Sequence, residues 1–264
     1  MSDPGNDFVS LTEVAGDEVS LEQVERLARR YYWAADYCRN RDAIEVACGS
    51  GQGSGYLASR ARRFAAGDYS AALLRVGAAH YNGRVRFLRL DAQRLPYRDR
   101  TCDVVVLFEA LYYIPDAERF FAECRRVLRP GGTLLIATAN KDLFDFNPSP
   151  HSYRYFGVVE LQQALGPHGF QTAFFGDAPL DAASLRQRAL RPVKAAVVSL
   201  GLMPKSMNGK KLLKRFVFGG LTPMPAEITD ATVPRVAPSP IRSDAPDRRH
   251  KVILCAATLA GTPK

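Results

Sequence analysis

The sequence predicts an α/β fold in which a doubly wound, mainly parallel sheet is covered by helices on both faces. Short apolar runs alternate with helical patterns from about residue 20 to residue 176, with short connections between them, the mark of repeated strand–helix units. Several runs, such as VVVLF at 104–108, are apolar at every position, as expected of strands covered on both faces. With 264 residues, 47% apolar and 10% aromatic, the chain can bury a full core, which excludes bulk disorder.

The elements follow in order. Ser20 and Gln23 make a capping box, and Leu21, Val24, Leu27, Ala28, Tyr31 and Tyr32 keep helical spacing, so a helix is expected over 20–38. Strand 43–48 leads to helix 54–62, strand 63–68 to helix 70–80, and strands 85–90 and 103–108 precede helix 115–128. Pro130, Gly131 and Gly132 should stop that helix. Strand 133–139, helix 158–165, strand 170–175 and a final strand at 251–258 complete the series.

Between 179 and 249 the alternation breaks. Ala182 to Ala226 contains no Asp or Glu but nine Lys or Arg, and residues 226–249 are Pro-rich. The expected organisation is an N-terminal helical cap (1–42), a core (43–178), a basic, Pro-rich insertion roofing the substrate (179–249) and a closing strand (250–264).

Lys plus Arg number 36 and Asp plus Glu 27, a net charge of +9. That balance favours anionic partners: nucleic acid, phosphorylated small molecules or an acidic membrane face. Five cysteines, none in a CxxC pair, argue against a disulfide framework or a zinc site and for a reducing, cytoplasmic setting. No metal is expected. Residues 1–16 are polar and acidic, unlike a signal peptide, and the apolar stretch near 193–203 is too short to span a bilayer.

The chemistry centres on EVACGSGQG at 45–53. Gly49, Gly51 and Gly53 follow a strand and open a helix, where glycine permits tight turning and close approach of the backbone to a ligand. The dinucleotide spacing GxGxxG fails, because Ser54 or Tyr56 stands where the third glycine belongs. Glu45 would oppose a pyrophosphate but suits an ammonium. Asp68 ends the second strand, where a carboxylate can accept both hydroxyls of a ribose. Asp91 ends the third, where it could accept from an adenine amine while Ala92 offers its N–H. Three acids at the carboxyl ends of successive strands all face the ligand crevice of such a sheet.

In that order these segments resemble class I S-adenosylmethionine (SAM)-dependent methyltransferases: EVACGSGQG (45–53) their first motif, GDYS (67–70) their ribose loop, LDAQRLP (90–96) their adenine loop, FEALYYIPD (108–116) their fourth-strand motif and RVLRPGG (126–132) the lead into the fifth strand. The likeness spans residues 20–176 and resumes at 250–259. It implies a Rossmann-like, seven-stranded sheet with an antiparallel last strand, SAM as cofactor, and cofactor contacts at Glu45, Ala47, Gly49, Gly51, Gly53, Asp68, Tyr69, Asp91, Ala92, Phe108 and Glu109. Ala47 and Ala66 stand where the family commonly has glycine. RYYWA (30–34) and ACGSG (47–51) most resemble methyltransferases of bacterial polysaccharide and glycosylated natural-product pathways, so the expected acceptor is an oxygen or nitrogen of a sugar, glycan or glycosylated metabolite.

Methyl transfer is an in-line displacement on a sulfonium carbon, so the protein contributes mainly positioning. Candidate bases on the acceptor side are Tyr113 and His151, with Tyr112 beside them. Tyr32 and Trp33 could cover the sulfonium through a cation–π contact, and Asn140 could hold a substrate hydroxyl. The basic insertion suits an anionic acceptor, such as a phosphosugar or lipid-linked glycan, or peripheral contact with a membrane. The alternative is an RNA or other nucleic-acid acceptor, as the charge allows. Against it, base-amine methylases of this fold carry Asn/Asp-Pro-Pro-aromatic where this chain has FEAL at 108–111.

Overall fold

A computed structural model describes residues 12–180 and 221–261. The basic run from Arg186 to Arg215 lies outside the described residues. A short strand β1 (Glu18–Ser20) leads into helix α1 (Leu21–Cys38), which Ser20 and Gln23 cap as expected. Then come β2 (Asp42–Val46), α2 (Ser54–Ala58), β3 (Arg63–Asp68), α3 (Ala71–Tyr81), β4 (Phe87–Arg89) and β5 (Cys102–Phe108). A 3-10 turn at Leu111–Tyr113 precedes α4 (Ala117–Val127), β6 (Leu128–Ala139), α5 (Val158–Leu165) and β7 (Phe170–Pro179). Beyond 220 lie β8 (Leu221–Pro223), β9 (Ser239–Ile241) and β10 (His250–Leu259).

The main sheet runs β4-β3-β2-β5-β6-β10-β7-β9. Strands β2 to β6 are mutually parallel, and β10 is antiparallel to both β6 and β7. This is the Rossmann-like sheet with a reversed closing strand, plus an eighth strand. The extra one, β9, is a three-residue edge strand containing Pro240, and proline is tolerated there because an edge position can spare its N–H.

Strand β5 shows why the apolar runs are continuous. Val104, Val106 and Phe108 enter the cluster under α1, while Val105 and Leu107 enter the one under α4 and α5. Each of these five side chains is therefore buried, each worth roughly 1.5–3 kcal/mol. Of the boundaries that differ from expectation, two have a visible cause. Helix α2 ends after five residues, because Ser59 Oγ and Arg60 Nη1 both donate to the Tyr56 carbonyl at 3.0 Å. Strand β6 starts at Leu128 and passes through Pro130–Gly132 by an irregularity in its pairing with β5, instead of beginning at Thr133.

The described part of the expected insertion, from residue 221, carries regular structure. Strand β8 pairs with β1 in a separate two-stranded sheet, and β9 lies within the Pro-rich stretch. Met224, Ile228 and Val233 then pack against α1. The segment returns to the sheet through a buried clamp, where Asn140 Nδ2 donates to the carbonyls of Asp247 (2.8 Å) and His250 (2.9 Å). No helix among the described residues is long and apolar enough to cross a membrane.

Candidate active site

A cavity of about 610 Å³ opens at the carboxyl ends of β2, β3, β4 and β5. Its floor is the turn after β2, where Ala47 (φ +56°) and Gly49 (φ +59°) both adopt left-handed backbone. Asp68 braces that turn: Oδ2 accepts from the Gly49 N–H and Oδ1 from the Ser70 N–H, both at 2.8 Å. Tyr69, Leu90, Asp91 and Ala92 continue the wall on this side. Asp91 is exposed, with Oδ1 accepting from the Gln93 N–H at 2.8 Å.

Glu45 lies behind the turn. It is only 1% exposed, and its carboxyl accepts from Tyr31 Oη at 2.5 Å and Ser54 Oγ at 2.6 Å. Burial pushes its pKa up to about 7, against the lowering effect of those two hydrogen bonds and of Arg30. Tyr31 also explains Gly53: a Cβ there would lie 2.3 Å from the Tyr31 ring. The Tyr31–Glu45–Ser54 chain thus ties α1 to the Gly-rich turn.

On the opposite side, Phe108, Glu109, Tyr112, Tyr113, Ile114 and Tyr153 line the cavity with Arg26 and Arg30 of α1. Tyr112 stacks on Tyr155 with ring centroids 4.5 Å apart and meets Tyr113 edge-on at 4.6 Å. The Tyr153 N–H donates to the Tyr112 carbonyl at 2.8 Å, docking the loop after β6 on this wall. Burial raises the pKa of the Tyr113 phenol. A strap crosses the cavity mouth: Thr12 and Glu13 line it, and Gln52 Nε2 donates to the Glu13 carbonyl at 2.7 Å.

Of the expected site residues, Ala47, Gly49, Asp68, Tyr69, Asp91, Ala92, Phe108, Glu109 and Tyr113 line this cavity. Five do not. Glu45, Gly51 and Gly53 support the turn from behind. Tyr32 turns away, its hydroxyl donating to the Thr229 carbonyl at 2.6 Å, and its neighbour Tyr31 takes the place expected of it. His151 is exposed and lies off the cavity. Trp33 is core, packed on Tyr37, Phe108 and Phe175, and Asn140 is spent in the clamp on Asp247 and His250. Residues not anticipated are Arg26, Arg30, Tyr31, Gln52, Tyr153 and Met224. The one available signal was the i, i+4 spacing of Arg26 and Arg30 beside the apolar stripe of α1.

The residues present fit SAM. The floor offers bare backbone at Ala47 and Gly49, and two acids stand at the ends of adjacent strands, suited to an adenosine. Charged groups gather at the other end: Arg26 Nη2 and Arg30 Nη1 each lie 3.6 Å from Glu109 Oε1, an oxygen that, like the Nε atoms of both arginines, is shut from bulk water without a hydrogen bond.

Comparison with known proteins agrees. The methyltransferase-domain family profile matches residues 44–136. A Mycolicibacterium smegmatis protein named "probable S-adenosylmethionine-dependent methyltransferase" is 33% identical over 190 residues, covering 65% of this chain and 70% of the relative. The phthiotriol/phenolphthiotriol dimycocerosates methyltransferase 1 of Mycobacterium ulcerans is 33% identical over 48% of this chain, which spans about half (47%) of that relative's length. A solved SAM-dependent methyltransferase of Thermotoga maritima shares the fold, with a TM-score of 0.57 at 13% identity over 89% of this chain and 91% of that one. The chain belongs to the class I SAM-dependent methyltransferase family. It is an enzyme, and SAM is its methyl donor.

Proposed function

We propose that this methyltransferase modifies an oxygen or nitrogen of a small molecule bearing a sugar or glycan. The observation that supports this reading is the aromatic wall of Tyr112, Tyr113 and Tyr153, at the end of the cavity away from Asp68 and Asp91. Flat rings can cover a pyranose face or another ring, and phenol hydroxyls at the wall can exchange hydrogen bonds with acceptor hydroxyls. The M. ulcerans relative is named as a methyltransferase of phthiotriol/phenolphthiotriol dimycocerosates, which favours an acceptor other than nucleic acid.

When bound, SAM supplies a methyl group already activated on a sulfonium. The chain's residues position the acceptor and exclude water, an effect worth up to roughly 7–11 kcal/mol in favourable cases. The strap at Thr12–Glu13 and the Tyr153 loop close two sides of the cavity. Burial raises the pKa of the Tyr113 phenol, which favours a hydrogen-bonding role over that of a base. The test is to incubate the full chain with SAM and separate pools of nucleotide sugars, glycosylated metabolites, aglycones and RNA, and to read methyl incorporation by mass spectrometry. Incorporation into sugar-bearing molecules is expected. Incorporation into RNA alone, or into aglycones alone, overturns the assignment.

A further inference from the structure

A second recess lies at the end of the sheet opposite the methyl-transfer cavity. It measures about 360 Å³ and opens at the amino ends of β2, β3 and β5, between Asp42, Ile44, Arg63, Ala65, Arg86 and Tyr97. A gap in the winding creates it. Parallel strands are usually joined by a crossover helix that packs on the sheet. Helices α2 and α3 do this between β2, β3 and β4, and α4 between β5 and β6, but residues 90–101, between β4 and β5, form no helix. That loop instead lays Tyr97 against the core cluster that holds Ile44 and Cys102. The small side chain of Ala65, half-buried at the start of β3, leaves the space beside it open.

The rim of the recess is positive, and one of its charges is uncommitted. Asp42 pairs with Arg62, Arg63 and Arg129, and Arg129 pairs also with Asp103. Arg86 is exposed, and among the described residues no hydrogen bond or ion pair engages its guanidinium. With Arg86, four guanidiniums stand against two carboxylates. The excess favours an anion.

The Tyr97 wall carries a second uncommitted group. Its Oη is shut from bulk water without a hydrogen bond, whereas buried hydroxyls are normally paired. Burial pushes the phenol pKa up to about 12, and the Arg86 charge acts against that rise. The phenol therefore keeps its proton as a donor, and it lies near enough to Arg86 for both to serve one ligand. The rest of the lining is apolar: Ala43, Ile44, Phe64, Ala65 and Cys102. A bare inorganic anion would lose hydration against such walls, whereas an anion with an apolar body would cover them. The volume is at the small end of the range for ligand pockets.

We infer that this recess is a second ligand site, taking a small organic anion whose flat apolar body rests on Ile44, Ala65 and Tyr97 and whose carboxylate or sulfonate meets Arg86 and the Tyr97 hydroxyl. It is separate from the methyl-transfer cavity. Strand β2 is five residues long and rises about 3.3 Å per residue, which puts roughly 16 Å between the recess and the Gly-rich turn. The site leaves Arg62, Arg63 and Arg129 to their structural pairing with Asp42 and gives the one free guanidinium of this rim a ligand.

The experiment is calorimetric titration of 2-naphthoate into the full chain saturated with S-adenosylhomocysteine. Binding at one site is expected. Arg86→Gln should weaken it by about 10- to 100-fold, the scale of losing a charge-assisted hydrogen bond. Ala65→Leu, which fills the recess, should abolish it. Both variants should bind S-adenosylhomocysteine as the wild type does, which shows that they fold; should Ala65→Leu fail that control, Arg86→Gln, at an exposed position, decides alone. No binding of 2-naphthoate to the wild type overturns the inference. Binding that survives both substitutions overturns it too, and places the probe in the methyl-transfer cavity. Equal binding of uncharged 2-naphthalenemethanol overturns the assignment to an anion.

Discussion

Ala47 carries a cost visible only in the backbone. It holds φ +56° at the first position of the Gly-rich turn, a conformation that costs an L-residue roughly 1–2 kcal/mol. Ala47→Gly removes that strain but adds unfolded-state entropy, so the expected net gain is about 0.5–1 kcal/mol, read as a higher urea midpoint with S-adenosylhomocysteine affinity unchanged. Glu45 makes stability depend on pH. Its folded-state pKa is raised to about 7, chiefly by burial, while an unfolded glutamate titrates near about 4.3. Between those values the unfolded chain has lost its proton and the folded chain keeps it. Stability therefore falls as pH rises through this window, by up to about 1.4 kcal/mol per pH unit, and levels off above it. Glu45→Gln preserves the partners, because an amide oxygen accepts from Tyr31 and an amide N–H can donate to Ser54 Oγ. Urea midpoints from pH 5 to pH 8 should slope downward for the wild type relative to this variant, whose own glutamine does not titrate.

At the scale of elements, α1 serves two masters one residue apart. Successive helical residues point about 100° apart, so Tyr31 reaches Glu45 under the turn while Tyr32 reaches the Thr229 carbonyl of the segment after β8. The same helix brings Arg26 and Arg30 to the cavity, so the N-terminal segment forms part of its wall. The strap itself is sewn in by backbone bonds, Gly16 N–H to the Met224 carbonyl and Met224 N–H to the Asp17 carbonyl, at 2.9 and 2.8 Å. The far end of the segment after β8 depends on Asn140, which is 1% exposed and bonds Asp247, His250 and the Asp142 N–H. Asn140→Ala strands several of these groups and should cost about 2–3 kcal/mol, measured as a lowered urea midpoint together with faster amide exchange around Asp247–His250.

For the whole molecule, the site lies where the winding of the sheet reverses. From β2 the chain moves outward to β3 and β4, then crosses back to β5 on the other side, leaving the crevice above the carboxyl ends at that switch. The opposite end of the strands is organised by charge. Asp42, buried at the start of β2, accepts from Arg62, Arg63 and Arg129 at 2.7, 2.5 and 3.1 Å, and those guanidiniums hold its carboxyl far below the usual carboxylate range. Part of the chain's basic excess is therefore committed to structure on the side away from the cavity. The net charge of +9 alone could not separate such arginines from ones that meet a ligand.

The alternation of apolar runs and helical patterns was enough to read the parallel sheet, and the glycines and acids at the ends of its first three strands were enough to read the cofactor crevice. These signals are local: a strand covered on both faces must be apolar throughout, and a ligand-facing acid must follow its strand directly. Nine of the fourteen expected site residues line the cavity for that reason. The remainder depended on contacts between distant parts of the chain. Whether Tyr31 or Tyr32 faces the turn is a matter of helix phase, settled by the segment after β8, where Thr229 lies 197 residues further on. Whether Glu45 touches ligand or props the turn depends on Tyr31 and Ser54 filling the space around it. The short strands β1, β8 and β9 exist only through pairing, since three residues carry no period of their own. The convergence of Arg26, Arg30 and Glu109 joins a helix face to a strand end some eighty residues away, and only packing of α1 across the sheet brings those charges to one cavity.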